Sequence, residues 1–307
     1  MSWKPLRNVV IPWMASLESL LQQVPLPTFT GDMLWVATDY SFDNSKSDFQ
    51  TVGLLLADPA SMGDWYQQRN AVRQRYLRDL RSMSWKKLPG DKQREAAFFP
   101  FLEAASQING LAITLAYHRD SAFQLPAEGA TRFRETLGLT ANWKPQTFEN
   151  MFRVASCTAL LVAGLSNPGQ AIHWLSDEDP VFANASIESD TTRLFNALLR
   201  LFQPHPIGEV RYNTTKDGAE QLLQEDLVAV PDLMCGATCE VITAIKREYV
   251  DLPEVALKLP GISERAQAFL NWYASDSLKL KRYICTFEGR GEEPSRVWVL
   301  PPSLLST

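Results

Sequence analysis

Cysteine and histidine are scarce in this chain, at four and three of 307 residues. With no regular spacing among the cysteines, a disulfide framework is not the organising device, and a reduced, cytoplasmic compartment is expected. No excess of basic residues is present either. The net charge of −5 excludes a protein that coats nucleic acid over its whole surface, although it leaves room for a local basic groove. Long hydrophobic runs are missing: the strongest, such as Ala155 to Leu165, is too short to span a bilayer, so no membrane is expected. Residues 1–14 carry Lys4 and Arg7, but Pro5 and Pro12 flank only a brief apolar run, which makes a poor signal peptide. There is no glycine-rich phosphate loop and no serine-nucleophile elbow, which argues against P-loop ATP use and serine hydrolase chemistry. Internal repeats and low-complexity tracts are absent as well.

What is present is an ordinary globular composition, 45% apolar and 21% charged. That is enough for a sizeable core in one large domain or one domain with additions.

Leu34 to Asp58 reads as the organising stretch. A strand-favouring run, residues 34–38, ends on Asp39, and polar turn residues lead to a second apolar run, Phe49 to Ala57. Two apolar runs around a polar turn predict an antiparallel pair. Upstream, Leu17, Leu20, Leu21 and Val24 fall at helical spacing, and Pro25 and Pro27 stop that helix. Downstream, Asp58-Pro59 predicts a helix start, with the helix running to about Arg81. Ser82 to Leu88 is expected as a short strand, and a helix from Asp91 to about Asn109 should kink at Pro100.

Leu111 to Tyr117 reads as a buried strand, Arg119 to Pro145 as a loop-rich crossover, and Thr147 to Leu165 as a deeply packed helix. Strands over 170–175, 208–212 and 227–230 alternate with a helix over 188–202, and Pro231-Asp232 is expected to open a helix reaching Tyr249. One more helix, 263–273, precedes strands at 283–288 and 296–300. Alternation of this kind predicts an α/β fold with mixed strand directions.

Three carboxylates share one context. Asp39 closes the first strand, Asp177 (with Asp179 nearby) follows the strand at 170–175, and Asp232 follows the expected strand at 227–230. Sites form at the carboxyl ends of strands in α/β sheets. Convergent carboxylates need a cation, and oxygen ligands select Mg²⁺ or Mn²⁺. Two such ions about 4 Å apart activate water and stabilise a leaving oxygen of a phosphodiester. The plain alternative is that these aspartates cap helices and fill turns.

Thr38-Asp39-Tyr40-Ser41 resembles the Asp-Glu-Ser-Gly start of the DUF3800 family, whose fold is ribonuclease H-like. Residues 49–53 (Phe-Gln-Thr-Val-Gly) resemble that family's second strand, Ser84 to Leu88 its short Lys-Trp segment, and Leu227 to Ala237 its late Gln-x-Ala-Asp-Leu helix. The resemblance spans about residues 33–250 and departs at Tyr40, Phe42 and Pro231, where the family often has Glu, Gly and Ala. It implies a ribonuclease H-like mixed sheet flanked by helices over residues 31–250. A helical extension (1–30) would precede that domain, and a C-terminal helix and strands (251–307) would pack on it.

The implied activity is metal-dependent cleavage of nucleic acid, in a bacterial defence or mobile-element setting. Asp39, Asp177 and Asp232 would be catalytic ligands for Mg²⁺ or Mn²⁺, and Asp179 a further ligand. Glu103, with Glu95 as its alternative, would be the helical glutamate that completes the set. The departures favour a different class of function: a degenerate binding or scaffolding subunit with a protein partner.

Arg69 to Arg94 is rich in cations. Arg69, Arg73 and Arg75 on a helix, then Lys86 and Lys87, either track phosphates or form a solvated face. Trp85 and Tyr76 among them suit stacking on bases. Lys279, Lys281 and Arg282 repeat the ambiguity on a smaller scale. Cys235 and Cys239, four apart on a helix, read as buried thiols rather than a zinc site. His173 reads as a core or supporting residue.

Overall fold

The computed structural model describes residues 3–9, 11–42, 47–119, 127–177, 184–215, 221–248, 259, 261–275, 279–288 and 296–300. The expected antiparallel pair is β1 (Met33–Ser41) and β2 (Phe49–Ala57), in a register that sets Asp39 opposite Gly53. β3 (Gly110–His118) continues antiparallel on β2. On the other side β4 (Ala171–Ser176) runs parallel to β1, and β5 (Val210–Thr214) parallel to β4. β6 (Leu280–Glu288) and β7 (Arg296–Leu300) extend the sheet beyond β3, giving the order β5-β4-β1-β2-β3-β6-β7. Three antiparallel strands flanked by two parallel ones, in the order 5-4-1-2-3, make the ribonuclease H-like arrangement.

Helices cover both faces, which is why β2 is buried at every position. Side chains alternate between faces along each strand. Val52, Leu54 and Leu56 enter a core with α1 (Pro12–Leu21), α5 (Pro145–Leu165) and α6 (Ala185–Phe202). Ala37, Leu55, Ala57 and Leu175 enter the opposite core with α2 (Gly63–Tyr76), α3 (Lys92–Ala105), α7 (Gln221–Glu248) and α8 (Glu264–Ala274). Asp39 and Asp177 lie two residues beyond Ala37 and Leu175, so both share the α7 side. The remaining helix, α4 (Ala127–Leu137), occupies the crossover expected to be loop-rich.

The largest departure from the sequence reading is α7. Leu227 to Val230 is not a strand, and Asp232 is not at a helix start: one helix of 28 residues runs through Pro231. Proline deprives a helix of one hydrogen bond and usually ends it. Here both flanks of the proline are buried against the sheet, and Gly53 lets α7 approach β2 closely. A Cβ at Gly53 would lie 2.8 Å from both the Pro231 carbonyl oxygen and Cys235 Sγ. Tertiary packing has outweighed the local signal, and Asp232 is thereby placed in mid-helix, where it caps nothing.

Smaller departures follow similar causes. Asp58 caps a short turn, Pro59–Ser61, and α2 begins only at Gly63 and ends at Tyr76. Ser82 to Leu88 is not a strand but a strap holding one tight turn, Trp85–Lys87. Pro100 is carried inside α3. α5 and residues 222–248 of α7 are long enough to cross a membrane, and each contains an 18-residue stretch apolar enough to do so. Most of each is packed inside the fold, which accounts for the apolarity. Near the N-terminus Trp3 lies flat on α5, where a Cβ at Gly164 would meet its ring at 2.4 Å.

Candidate functional site

A cleft of about 930 Å³ opens where β1 and β4 end, bounded by the 82–89 strap, α7 and the start of α8. Asp39, Asp177 and Asp232 all line it. Asp39 reaches it from the end of β1, half-buried, and Asp177 from the first position after β4, exposed. The Thr215 hydroxyl donates to Asp177 Oδ1 at 3.0 Å.

Asp232 is the most deeply set of the three. Its Oδ2 accepts the Trp85 main-chain N–H at 2.9 Å. Burial pushes its carboxyl above the ordinary aspartate pKa, and the negative charge of Asp177 pushes the same way. The Trp85 N–H, the Ser84 hydroxyl and Lys86 act against that rise. Asp39 and Asp232 both help raise the buried Cys235 thiol, which places all three groups in one electrostatic neighbourhood.

Four further charged residues escaped the sequence reading: Glu225, Glu240, Arg247 and Arg265 also line the cleft. With Val228, Asp232, Gly236 and Thr243, the α7 members recur every three or four residues along one helical face. Reading Pro231 as a helix start hid that periodicity. Glu240 accepts the Ser263 N–H at 2.6 Å and faces Arg265 at 3.8 Å, tying α8 to α7.

Other expected site residues lie elsewhere. Glu103 is exposed on α3 and does not line the cleft, and Glu95 is occupied by the Gly90 N–H at 2.9 Å. Asp179 lies outside the described residues. Among the described residues no group of three or more His, Cys, Asp or Glu side chains is close enough to hold a metal ion. The acids therefore line one cleft without already forming a closed coordination cage.

The basic helix needs a correction. Arg69 and Arg73 neither track phosphates nor form a solvated face. Both are buried, with their Nε atoms 2.5 and 2.6 Å from Oδ2 of the fully buried Asp226. Arg75 lies over the Tyr76 ring, away from the cleft lining. Lys86 and Lys87, from the same stretch, are exposed and do line the cleft. In the second patch, Lys279 pairs with Asp64 at the surface, and Arg282 is buried against the Trp272 and Ser275 carbonyls. All four cysteines are buried, with Cys235 and Cys239 packed on β1 and β2. His173 bonds Asn213 and meets Trp35 edge-on.

The raised Asp232 pKa has a measurable consequence. The folded chain keeps a proton that the unfolded chain has already released, so stability falls as pH rises from the ordinary aspartate range until folded Asp232 ionises. Asp232→Asn should flatten that part of the profile and leave the metal-free protein at least as stable at neutral pH. Chemical denaturation from about pH 3 to 7 tests this. An unchanged slope would mean that Asp232 is not the desolvated acid.

No family model matches the chain, and no curated protein matches it. The DUF3800 resemblance therefore rests on its short motifs alone. Among solved structures, the chain is similar to ribonuclease H2 from Pyrococcus horikoshii OT3, at 14% identity over 79% of this chain and 88% of that one, with a TM-score of 0.35. So loose a superposition carries no weight for function, and the fold assignment stands on the strand order.

Proposed function

We propose that the chain is a divalent-metal-dependent hydrolase of nucleic-acid phosphodiesters, with Asp39, Asp177 and Asp232 as the metal-binding acids. One observation carries this reading: acids from the end of β1, the end of β4 and the middle of α7 meet on one cleft. Their chemistry fits a hard cation, since carboxylate oxygens without histidine or thiolate suit Mg²⁺ or Mn²⁺. A bound ion would neutralise the cluster, activate water and stabilise charge on a departing oxygen. The protein's own part is to hold the three acids and to offer Lys86 and Lys87 at the rim for phosphate.

A second reading, a nucleic-acid- or protein-binding subunit without catalysis, is favoured by the lack of a three-ligand group among the described residues. Charge separates the two. Described lining residues include five acids (Asp39, Asp177, Glu225, Asp232, Glu240) and four cations (Lys86, Lys87, Arg247, Arg265). A polyanion entering that balance needs a divalent ion, so labelled oligo(dT) and oligo(U) should bind at least about tenfold more tightly with Mg²⁺ than with EDTA at matched ionic strength. Lys86→Glu with Lys87→Glu should weaken binding both with Mg²⁺ and with EDTA and shallow the salt dependence. Binding indifferent to Mg²⁺ would support the non-catalytic reading.

A further inference from the structure

The strap that carries Lys86 and Lys87 is tied to the acid site through Trp85. The Trp85 main-chain N–H donates to Asp232 Oδ2 at 2.9 Å. Its ring lies directly on α7 at Gly236, one turn beyond Asp232, where a Cβ would come within 2.1 Å of Cγ and Cδ1. Over the ring sits the Arg265 guanidinium, its Cζ 4.1 Å from the centroid. The same guanidinium donates through Nη1 to the Trp85 carbonyl at 2.9 Å. Trp85 itself is buried, so it is not a platform on which a base stacks.

We infer that Trp85 is a positioning residue that orients the Asp232 carboxylate, and that Arg265 is the clasp that keeps Trp85 seated between α7 and α8. The inference rests on Asp232 being one of the site acids. An aspartate in mid-helix can turn about two side-chain bonds, and a fixed main-chain donor on one oxygen selects among those orientations. Arginine suits the clasp because its flat fork can cover an indole and bond a carbonyl at once. Lysine offers only a point charge. The clasp also sets Lys86 and Lys87 at the rim, so α8 influences both acid and cation through Trp85.

Arg265 could instead act merely as a nearby positive charge, and the two roles give opposite signs. Removing a cation beside acids tightens divalent binding, whereas losing a positioning clasp weakens it by about tenfold or more. The test uses the full chain and its Arg265→Lys and Arg265→Met variants. Mn²⁺ affinity is measured by calorimetry, and amide exchange of the peptide spanning Trp85 by mass spectrometry.

The expected result is at least tenfold weaker Mn²⁺ binding and faster Trp85 exchange in both variants, with lysine failing to rescue. Trp85→Phe, which keeps the N–H and an aromatic face, should fall between them and the wild type. Tighter Mn²⁺ binding in Arg265→Met, rescue by lysine, or unchanged exchange would each overturn the inference. If the wild type binds no Mn²⁺ while exchange still accelerates in both variants, the clasp stands and the metal-dependent reading alone fails.

Discussion

Asp39→Asn is expected to cut Mg²⁺- or Mn²⁺-dependent cleavage of labelled DNA or RNA by at least about a hundredfold, since replacing even a residue behind a metal ligand commonly costs tenfold to a hundredfold. Asparagine keeps nearly the same volume and can still accept hydrogen bonds, but it lacks the charge that a divalent ion requires. Fold stability should not follow activity. Without metal, Asp39 is one of five acids lining the cleft, so removing it should leave the melting temperature unchanged or slightly higher. Single-turnover cleavage with each ion, beside melts with and without metal, separates loss of chemistry from loss of fold. Cleavage that survives the substitution undiminished would remove Asp39 from the site. A wild type that cleaves neither DNA nor RNA with either ion would move the assignment to the binding subunit.

The second large effect lies outside the cleft. Asp226 is fully buried near the start of α7, and its carboxylate accepts from Arg69 Nε and from Arg73 Nε and Nη2 at 2.5–2.6 Å. Asp226→Ala would leave two buried guanidinium groups facing each other without their shared anion. Breaking a buried pair in this way typically costs about 3–5 kcal/mol, which in a chain of this size lowers the melting temperature by on the order of 10 °C. Replacing Arg69, Arg73 and Asp226 together with apolar residues of similar size should cost far less, because a buried ion cluster contributes little beyond satisfying its own desolvation. A single substitution costing under about 1 kcal/mol would show that the cluster is hydrated like a surface pair. Since α2 and α7 are joined here, the damage should reach the cleft as weaker oligonucleotide binding, with the acids themselves intact.

The elements read directly from the sequence are those whose side chains face a core with a clear period. β1, β2, β3 and β4, the long α5, and the late helix and strands all lie within a few residues of their expected positions. Their periodicity alone was enough to identify them. Asp39 and Asp177 were legible for a related reason. Each is a carboxylate placed where a buried strand ends, and strand parity then puts both on the same side of the sheet.

Sequence by itself could not decide which arginines meet solvent, because Arg69 and Arg73 differ from Arg75 only in what α7 brings against them. Their counter-ion, Asp226, is more than 150 residues away. Nor could it decide that α7 passes through Pro231. A proline's local cost is fixed, whereas the compensating burial against β1, β2 and Gly53 exists only once the sheet has formed. Asp232 changed context for that reason, from a helix cap to a mid-helix acid in a cleft, and it drew Glu225, Glu240 and Arg247 into view along the same face. Composition and period determined the layers of this protein. Which charges are paired and buried, and which face a ligand, was decided by long-range packing, because the energy of a charge depends on its solvation and its neighbours.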